Sequence, residues 1–329
     1  MLSANIKQFQ LEEWVMRMLL RGLFASSVRF LKDAEKSVVS QCLLHARANR
    51  SQDHIRTLAD VEFRGFSQWG EDGILDWLVA RLPGIPETFV EFGVENYRES
   101  NTRMLLWLRN WRGLVIDGSA THVQDIRRQE VSWRFDLTAV CAFIDRDNIN
   151  DLISTSGFGS ELGILSIDID GNDYWVWQNI SIVKPIIVVC EYNALFGDLR
   201  RITVPYRPDF QRARAHYSNL YFGASLQALI DLGSKKGYTF VGTNSNGCNA
   251  FFVRNDRAPE VLNAIDEVSS YASSFRESRD MSGRLTFLRG MSRVDLIRDM
   301  PVFDLDLGRE LPLADIGELY SEKWKTRYS

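Results

Sequence analysis

The sequence turns abruptly from an apolar run into acids at Ile164-Leu165-Ser166-Ile167-Asp168-Ile169-Asp170-Gly171-Asn172-Asp173. A second run of this kind, Ile186-Ile187-Val188-Val189-Cys190, ends in Glu191-Tyr192-Asn193, and an earlier one, Thr88-Phe89-Val90, ends in Glu91-Phe92-Gly93. Near-continuous β-branched runs mark strands buried on both faces, as in a parallel sheet. In open α/β sheets the ligand crevice lies outside the carboxyl ends of such strands. The acids at these run ends therefore predict where the chemistry of the chain sits.

Strand-like and helix-like segments alternate from residue 61 to residue 255. Strands are expected at 88–92, 113–118, 137–144, 163–169 and 186–191, with helices near 100–110, 123–130 and 224–235. A helix opening at Phe66–Leu75 precedes the first strand and ends before Pro83. After a long polar excursion from Asn193, Tyr238–Gly242 and Asn249–Val253 flank an Asn/Gly-rich linker, the pattern of a β-hairpin. The expected class is α/β, a mixed sheet closed by an antiparallel hairpin.

Residues 1–60 read as a helical extension whose stretch from Trp14 to Lys32 is apolar and basic. Such a stripe suits packing on its own domain or on a second subunit, or an anionic membrane surface. Residues 256–329 read as a solvated cap, helical and then irregular, made locally basic by Arg276, Arg279, Arg284, Arg289 and Arg293. The net charge of -4 gives no overall attraction to nucleic acid. The four cysteines are far apart and form no metal or redox pair, which fits free thiols in a reducing cytoplasm. No uncharged apolar run reaches the roughly 18 residues of a membrane span. Glu12, Glu13, Arg17 and Arg21 interrupt any secretory signal. The expected location is cytoplasmic, with peripheral membrane contact through the first helices left open.

Residues 63–255 resemble the class I S-adenosylmethionine-dependent methyltransferases, and within them the FkbM-type branch, which contains many O-methyltransferases of sugars and natural products. The Asp168-Ile169-Asp170-Gly171-Asn172-Asp173 stretch is similar to that branch's Asp-x-Glu-Gly-x-Glu signature after strand four. The terminal hairpin is similar to strands six and seven of class I enzymes. The loop after strand one departs from the family's glycine-rich pattern: Glu91-Phe92-Gly93-Val94-Glu95-Asn96-Tyr97 keeps only the first glycine. The resemblance implies a Rossmann-like, seven-stranded fold, S-adenosylmethionine as cofactor, and methylation of a hydroxyl on a small molecule, a sugar or a surface polysaccharide.

The residues supply roles for that chemistry. Methyl transfer from a sulfonium is an in-line displacement that needs orientation and the removal of one proton. Glu91 is placed to order the loop near the methionine moiety, and Gly93 to let the backbone approach the cofactor. Asp117, with Gly118 and Ser119 beside it at the tip of strand two, is placed for the ribose hydroxyls. Asp145 is a candidate for the adenine amino group, or else starts a helix with Asp147 and Asn148. Gln68 and Asp72 are candidates for the methionine carboxylate and ammonium, or ordinary first-turn helix residues.

Asp168 carries the strongest expectation, as cofactor contact and general base, with Asp170 on the same side of a continuing strand. Asp168, Glu191 and Asn193 are also placed like the oxygen ligands of metal-dependent O-methyltransferases, which suggests Mg²⁺. Asp173 fits a structural role at the strand end. His216 is a candidate base in the loop after strand five, or a satisfied structural histidine. Arg200, Arg201, Arg207, Arg212 and Arg214 suggest an acidic acceptor, or a plain solvated loop. Two other readings share the fold plan. One is a nicotinamide-dependent oxidoreductase, which lacks its Gly-x-Gly-x-x-G here. The other is a binding or assembly module that has lost turnover.

Overall fold

A computed structural model describes residues 35–274 and 276–327. Expectations for residues 1–34, including the stripe from Trp14 to Lys32, lie outside the described residues. Helix α1 covers residues 35–50. There follow α2 (Glu71–Arg81), β1 (Thr88–Phe92), α3 (Arg103–Arg109), β2 (Arg112–Asp117), α4 (Ala120–Arg128), α5 (Glu130–Arg134), β3 (Leu137–Cys141), α6 (Ile149–Ser154), β4 (Glu161–Ile167), α7 (Asp173–Asn179) and β5 (Lys184–Glu191). Beyond them lie β6 (Ile202–Thr203), α8 (Arg212–Ala215), α9 (Leu226–Lys235), β7 (Tyr238–Thr243), β8 (Asn249–Arg254), α10 (Ala258–Leu262), β9 (Pro301–Asp304), β10 (Arg309–Pro312) and α11 (Glu322–Arg327).

The main sheet has seven strands in the order β3-β2-β1-β4-β5-β8-β7. The first five are mutually parallel; β8 runs antiparallel to β5, and β7 to β8. This is the Rossmann-like fold of the class I methyltransferases, with its terminal hairpin. Successive residues of each central strand face opposite sides, so the β-branched runs build two cores at once. Phe89, Val115, Ile164, Ile187 and Phe251 enter one core with α2 and α10. Val90, Ile116, Leu165, Val188 and Phe252 enter the other with α6, α7 and α9. The sheet order reverses between β1 and β4, and the carboxyl ends there form the rim that the acids occupy.

The C-terminal part, expected to be helical and then irregular and to be solvated, is packed against the excursion. After α10 it is mostly irregular, and β9 and β10 form a hairpin joined to β6 of the excursion in a three-stranded sheet. Leu195, Phe196, Ile202, Leu220, Val294, Ile297, Val302 and Leu313 give these two distant segments one small core of their own. The cap is thus packed onto the excursion beside the rim rather than solvated around single helices.

Candidate active site

The loops entering the rim are tied by buried carboxylates. Glu91 at the end of β1 accepts hydrogen bonds from Ser100 Oγ (2.7 Å), the Asn101 N–H (2.8 Å) and the Thr102 N–H (3.1 Å), and also from the Thr102 hydroxyl. It orders the turn that opens α3, and burial raises its pKa. Asp72 is wholly buried. Its Oδ2 accepts from the N–H groups of Gly65, Phe66 and Ser67 at 2.8, 2.6 and 2.7 Å. Burial pushes this carboxyl up to about 6. The expectation that Asp72 meets a ligand is corrected: it holds the turn before α2. Gln68, one turn away, does line the rim.

Asp117 ends β2 and is also buried. Its oxygens accept from the Glu95 N–H (2.8 Å) and the Ser119 N–H (2.8 Å), and Oδ1 lies 3.2 Å from His122 Nδ1. It thereby fixes the loop after β1 to the start of α4, where Ser119 Oγ accepts from the His122 N–H. Ser119 is a helix cap rather than a wall of the cavity. His122, which no sequence motif marks, orients Asp117. Gly93 has φ +69°, and a β-carbon there would lie 1.5 Å from the Asp168 carbonyl oxygen. Its missing side chain first serves the close packing of β1 against the end of β4.

Three carboxylates converge beyond β4 and β5. Asp168, Asp170 and Glu191 each offer an oxygen within 4.8 Å of the other two. The strand ends at Ile167, and Asp170 takes φ +55°, so a left-handed turn, not a continuing strand, brings it back. Asp170 pairs with Arg212 Nη1, whose Nε donates to the Asn219 carbonyl (2.7 Å) and whose guanidinium lies 3.9 Å from the centre of the Phe222 ring. Burial first, then Asp170 and Asp173, push Asp168 well above the usual carboxylate range. Burial and Asp168 do the same to Glu191, whose Oε2 is buried and has no hydrogen-bond partner among the described residues. Two like charges so close favour one shared proton or a shared cation.

Asn193 leaves the expected metal set. Its Nδ2 donates to the carbonyls of Leu220 (2.9 Å) and Phe222 (3.0 Å), and its Oδ1 accepts from the Leu195 N–H (3.0 Å). Asp170 takes its place in the cluster. Asp173 holds the N–H groups of Ile169 and Gly171, a structural role at the start of α7. His216 is corrected as well: its Nδ1 faces Ser218 Oγ (2.7 Å) and the Ser218 N–H (3.2 Å), which keeps it in its own turn. Asp145 accepts from the N–H groups of Asp147 and Asn148 (both 2.8 Å) and opens α6, the helix-start alternative. Of the five excursion arginines only Arg212 lines the cavity; Arg201 pairs with Asp231 (2.8 Å) and Arg200 donates to the Glu318 carbonyl (3.1 Å). Trp177 is buried in the core.

Two cavities open on this rim and share Gly93, Glu95, Asp168 and Asp170 as walls. One, of about 270 Å³, reaches from Gln68 and Glu91 past Glu191 and Arg212 to Asn249 and to the cap residues Ser273, Glu277 and Arg293. The other, of about 180 Å³, lies between Asp117-Gly118, Phe143-Ile144 and Phe210. The cap residues and Asn249 carry no local motif, and only the packing of distant segments shows them.

No family model matches the chain, and no curated protein matches it in sequence. Among solved structures it is similar to an O-methyltransferase from Bacillus cereus in complex with S-adenosylhomocysteine. The identity is 12%, over 66% of this chain and 89% of that one, with a TM-score of 0.35. It is also similar to an S-adenosylmethionine-dependent methyltransferase from Clostridium acetobutylicum, at 10% identity over 56% and 90% of the two chains, TM-score 0.34.

Proposed function

We propose that the chain is an S-adenosylmethionine-dependent O-methyltransferase acting on a hydroxyl of a sugar or glycan. One observation carries this reading: the ends of β1, β2, β4 and β5 deliver Gly93, Asp117, Asp168 and Glu191 to two adjoining cavities at the reversal of the sheet order. S-adenosylmethionine, when bound, supplies an electrophilic methyl group on a sulfonium. The chain's residues fit such a ligand. The smaller cavity offers Ile144, Phe143 and Phe210 as apolar walls for a base, and Asp117 retains lone pairs to accept from ribose hydroxyls. The larger cavity gathers carboxylates that favour a cation.

Asp168 and Glu191 then hold the proton that the acceptor hydroxyl loses. A carboxyl raised above its ordinary range is a stronger base than an ordinary one. Asp168, Asp170 and Glu191 equally suit a hard divalent cation, which lowers the pKa of a bound hydroxyl. Arg212 is already paired with Asp170, and Glu91, Asp168, Asp170 and Glu191 outnumber Arg212 and Arg293 on the wall, so the cavity favours a neutral acceptor over an acidic one. The FkbM-type branch and a cytoplasmic site belong to this proposal.

A module without turnover is the second reading, favoured by the three donors already spent on Asp117. Calorimetric titration separates the readings. Binding of S-adenosylhomocysteine in the micromolar range with no binding of NAD supports the cofactor reading. Binding of NAD alone points to the oxidoreductase, and binding of neither to the module.

A further inference from the structure

We propose that the segment over residues 278–289, a hairpin at 278–286 and the three residues that follow it, docks the molecule on an anionic lipid surface. The hairpin is built, not loose: the Thr286 N–H donates to the Ser278 carbonyl (2.8 Å) and the Asp280 N–H to the Arg284 carbonyl (2.9 Å). The Arg279 N–H ties its base to the Ser218 carbonyl (3.1 Å). On this frame it holds apolar side chains out in water. Met281 is 85% exposed, Phe287 61%, Leu288 43% and Leu285 42%, four of the twelve large apolar side chains exposed among the described residues. Phe287 does so from φ +55°, a backbone conformation costly for an aromatic residue. A cluster of apolar residues kept exposed marks an interaction surface.

The charges choose the occupant. Arg276, Arg279, Arg284 and Arg289 flank these side chains, against Glu277 and Asp280; Asp280 and Arg284 pair with each other (3.1 Å), which leaves three arginines facing one acid. Apolar tips set among arginines match an acyl layer beneath anionic headgroups. A second protein copy would meet like charge on its own hairpin, and a nucleic acid would leave the apolar tips unused.

The docked face adjoins the candidate site. Arg293 donates to the Gly290 carbonyl (2.8 Å) and to the Ser273 carbonyl (2.9 Å), which pins both ends of this segment, and Ser273, Glu277 and Arg293 line the larger cavity. Docking would hold the mouth of that cavity near the lipid surface. Resting on the methyltransferase reading, this makes the acceptor a lipid-carried sugar.

Vesicle sedimentation of the full chain tests the proposal without any cofactor, so its outcome is separate from that of the methyltransferase reading. Phosphatidylcholine vesicles with phosphatidylglycerol should sediment the protein and phosphatidylcholine alone should not. Two variants at exposed positions, Met281→Ser/Phe287→Ser/Leu288→Ser and Arg284→Glu/Arg289→Glu, should each weaken this binding at least tenfold while melting like the parent. Parent-like binding by both variants would overturn the proposal, as would a parent that ignores anionic vesicles. A parent dimer that the serine variant converts to monomer would assign the hairpin to a second copy instead.

Discussion

The carbonyl oxygen of Asp168 lies 1.5 Å from where a β-carbon on residue 93 would stand. Close backbone packing at this point brings the end of β1 and the end of β4 into one rim. Gly93→Ala therefore meets both a steric block and a left-handed backbone, since φ is +69°. The variant should lose about 1–3 kcal/mol of stability and bind S-adenosylhomocysteine at least tenfold more weakly. Chemical denaturation and titration check the two effects; an unchanged variant would mean the rim tolerates separation.

Asp168→Asn should lower turnover by about 100-fold or more, on whichever acceptor the parent labels with a radioactive methyl group. The fold should survive, because the substitution relieves like-charge crowding among Asp168, Asp170 and Glu191. Parent activity should rise with pH as Asp168 and Glu191, both pushed upward by burial, give up their shared proton. A variant with near-parent turnover would remove Asp168 from the chemistry.

The metal alternative separates Glu191 from Asn193. If the three carboxylates hold a divalent cation, Mg²⁺ or Mn²⁺ raises the melting temperature of the chelator-treated parent. Glu191→Gln should abolish that rise. Asn193→Ala should instead cost about 2–4 kcal/mol by stranding the Leu195, Leu220 and Phe222 groups, and keep the metal response. No response in the parent leaves the shared proton as the account of the cluster.

Asp72 gives a pH signature. Its folded pKa of about 6 lies above its ordinary value of 3.8, so the folded state binds the proton more tightly. The contribution of this group is therefore present at low pH and lost as pH rises from about 4 to about 6. Asp72→Asn keeps an acceptor for the three N–H groups and removes the charge. Its stability relative to the parent should climb through that window by up to about 3 kcal/mol. A difference flat with pH would place the Asp72 titration elsewhere.

The sheet was legible in the sequence because burial on both faces leaves a run such as Ile186–Cys190 with no alternative. Strand β1 falls at Thr88–Phe92, as its run demands, and β2 and the hairpin fall within about a residue. The rim acids were legible for the same reason, since they end the runs. What each acid does was not, because it depends on neighbours far away in sequence. Asp72, Asp145 and Asn193 have the right chemistry for ligands but satisfy backbone groups of their own turns or of a distant loop. Asp170 reaches the cluster through a left-handed turn that no side-chain pattern announces. Strand β6 is only Ile202–Thr203, too short to be seen without its partner β9 about a hundred residues later.

The central claim is that Gly93, Asp117 and Asp168 line one site for an adenosyl sulfonium cofactor. A crystal structure of the chain with S-adenosylhomocysteine tests it most directly. The account predicts the ribose hydroxyls at Asp117, the base against Phe143 and Ile144, and the sulfur facing Asp168. A ligand bound elsewhere, or a rim that stays empty at saturating ligand, would contradict it.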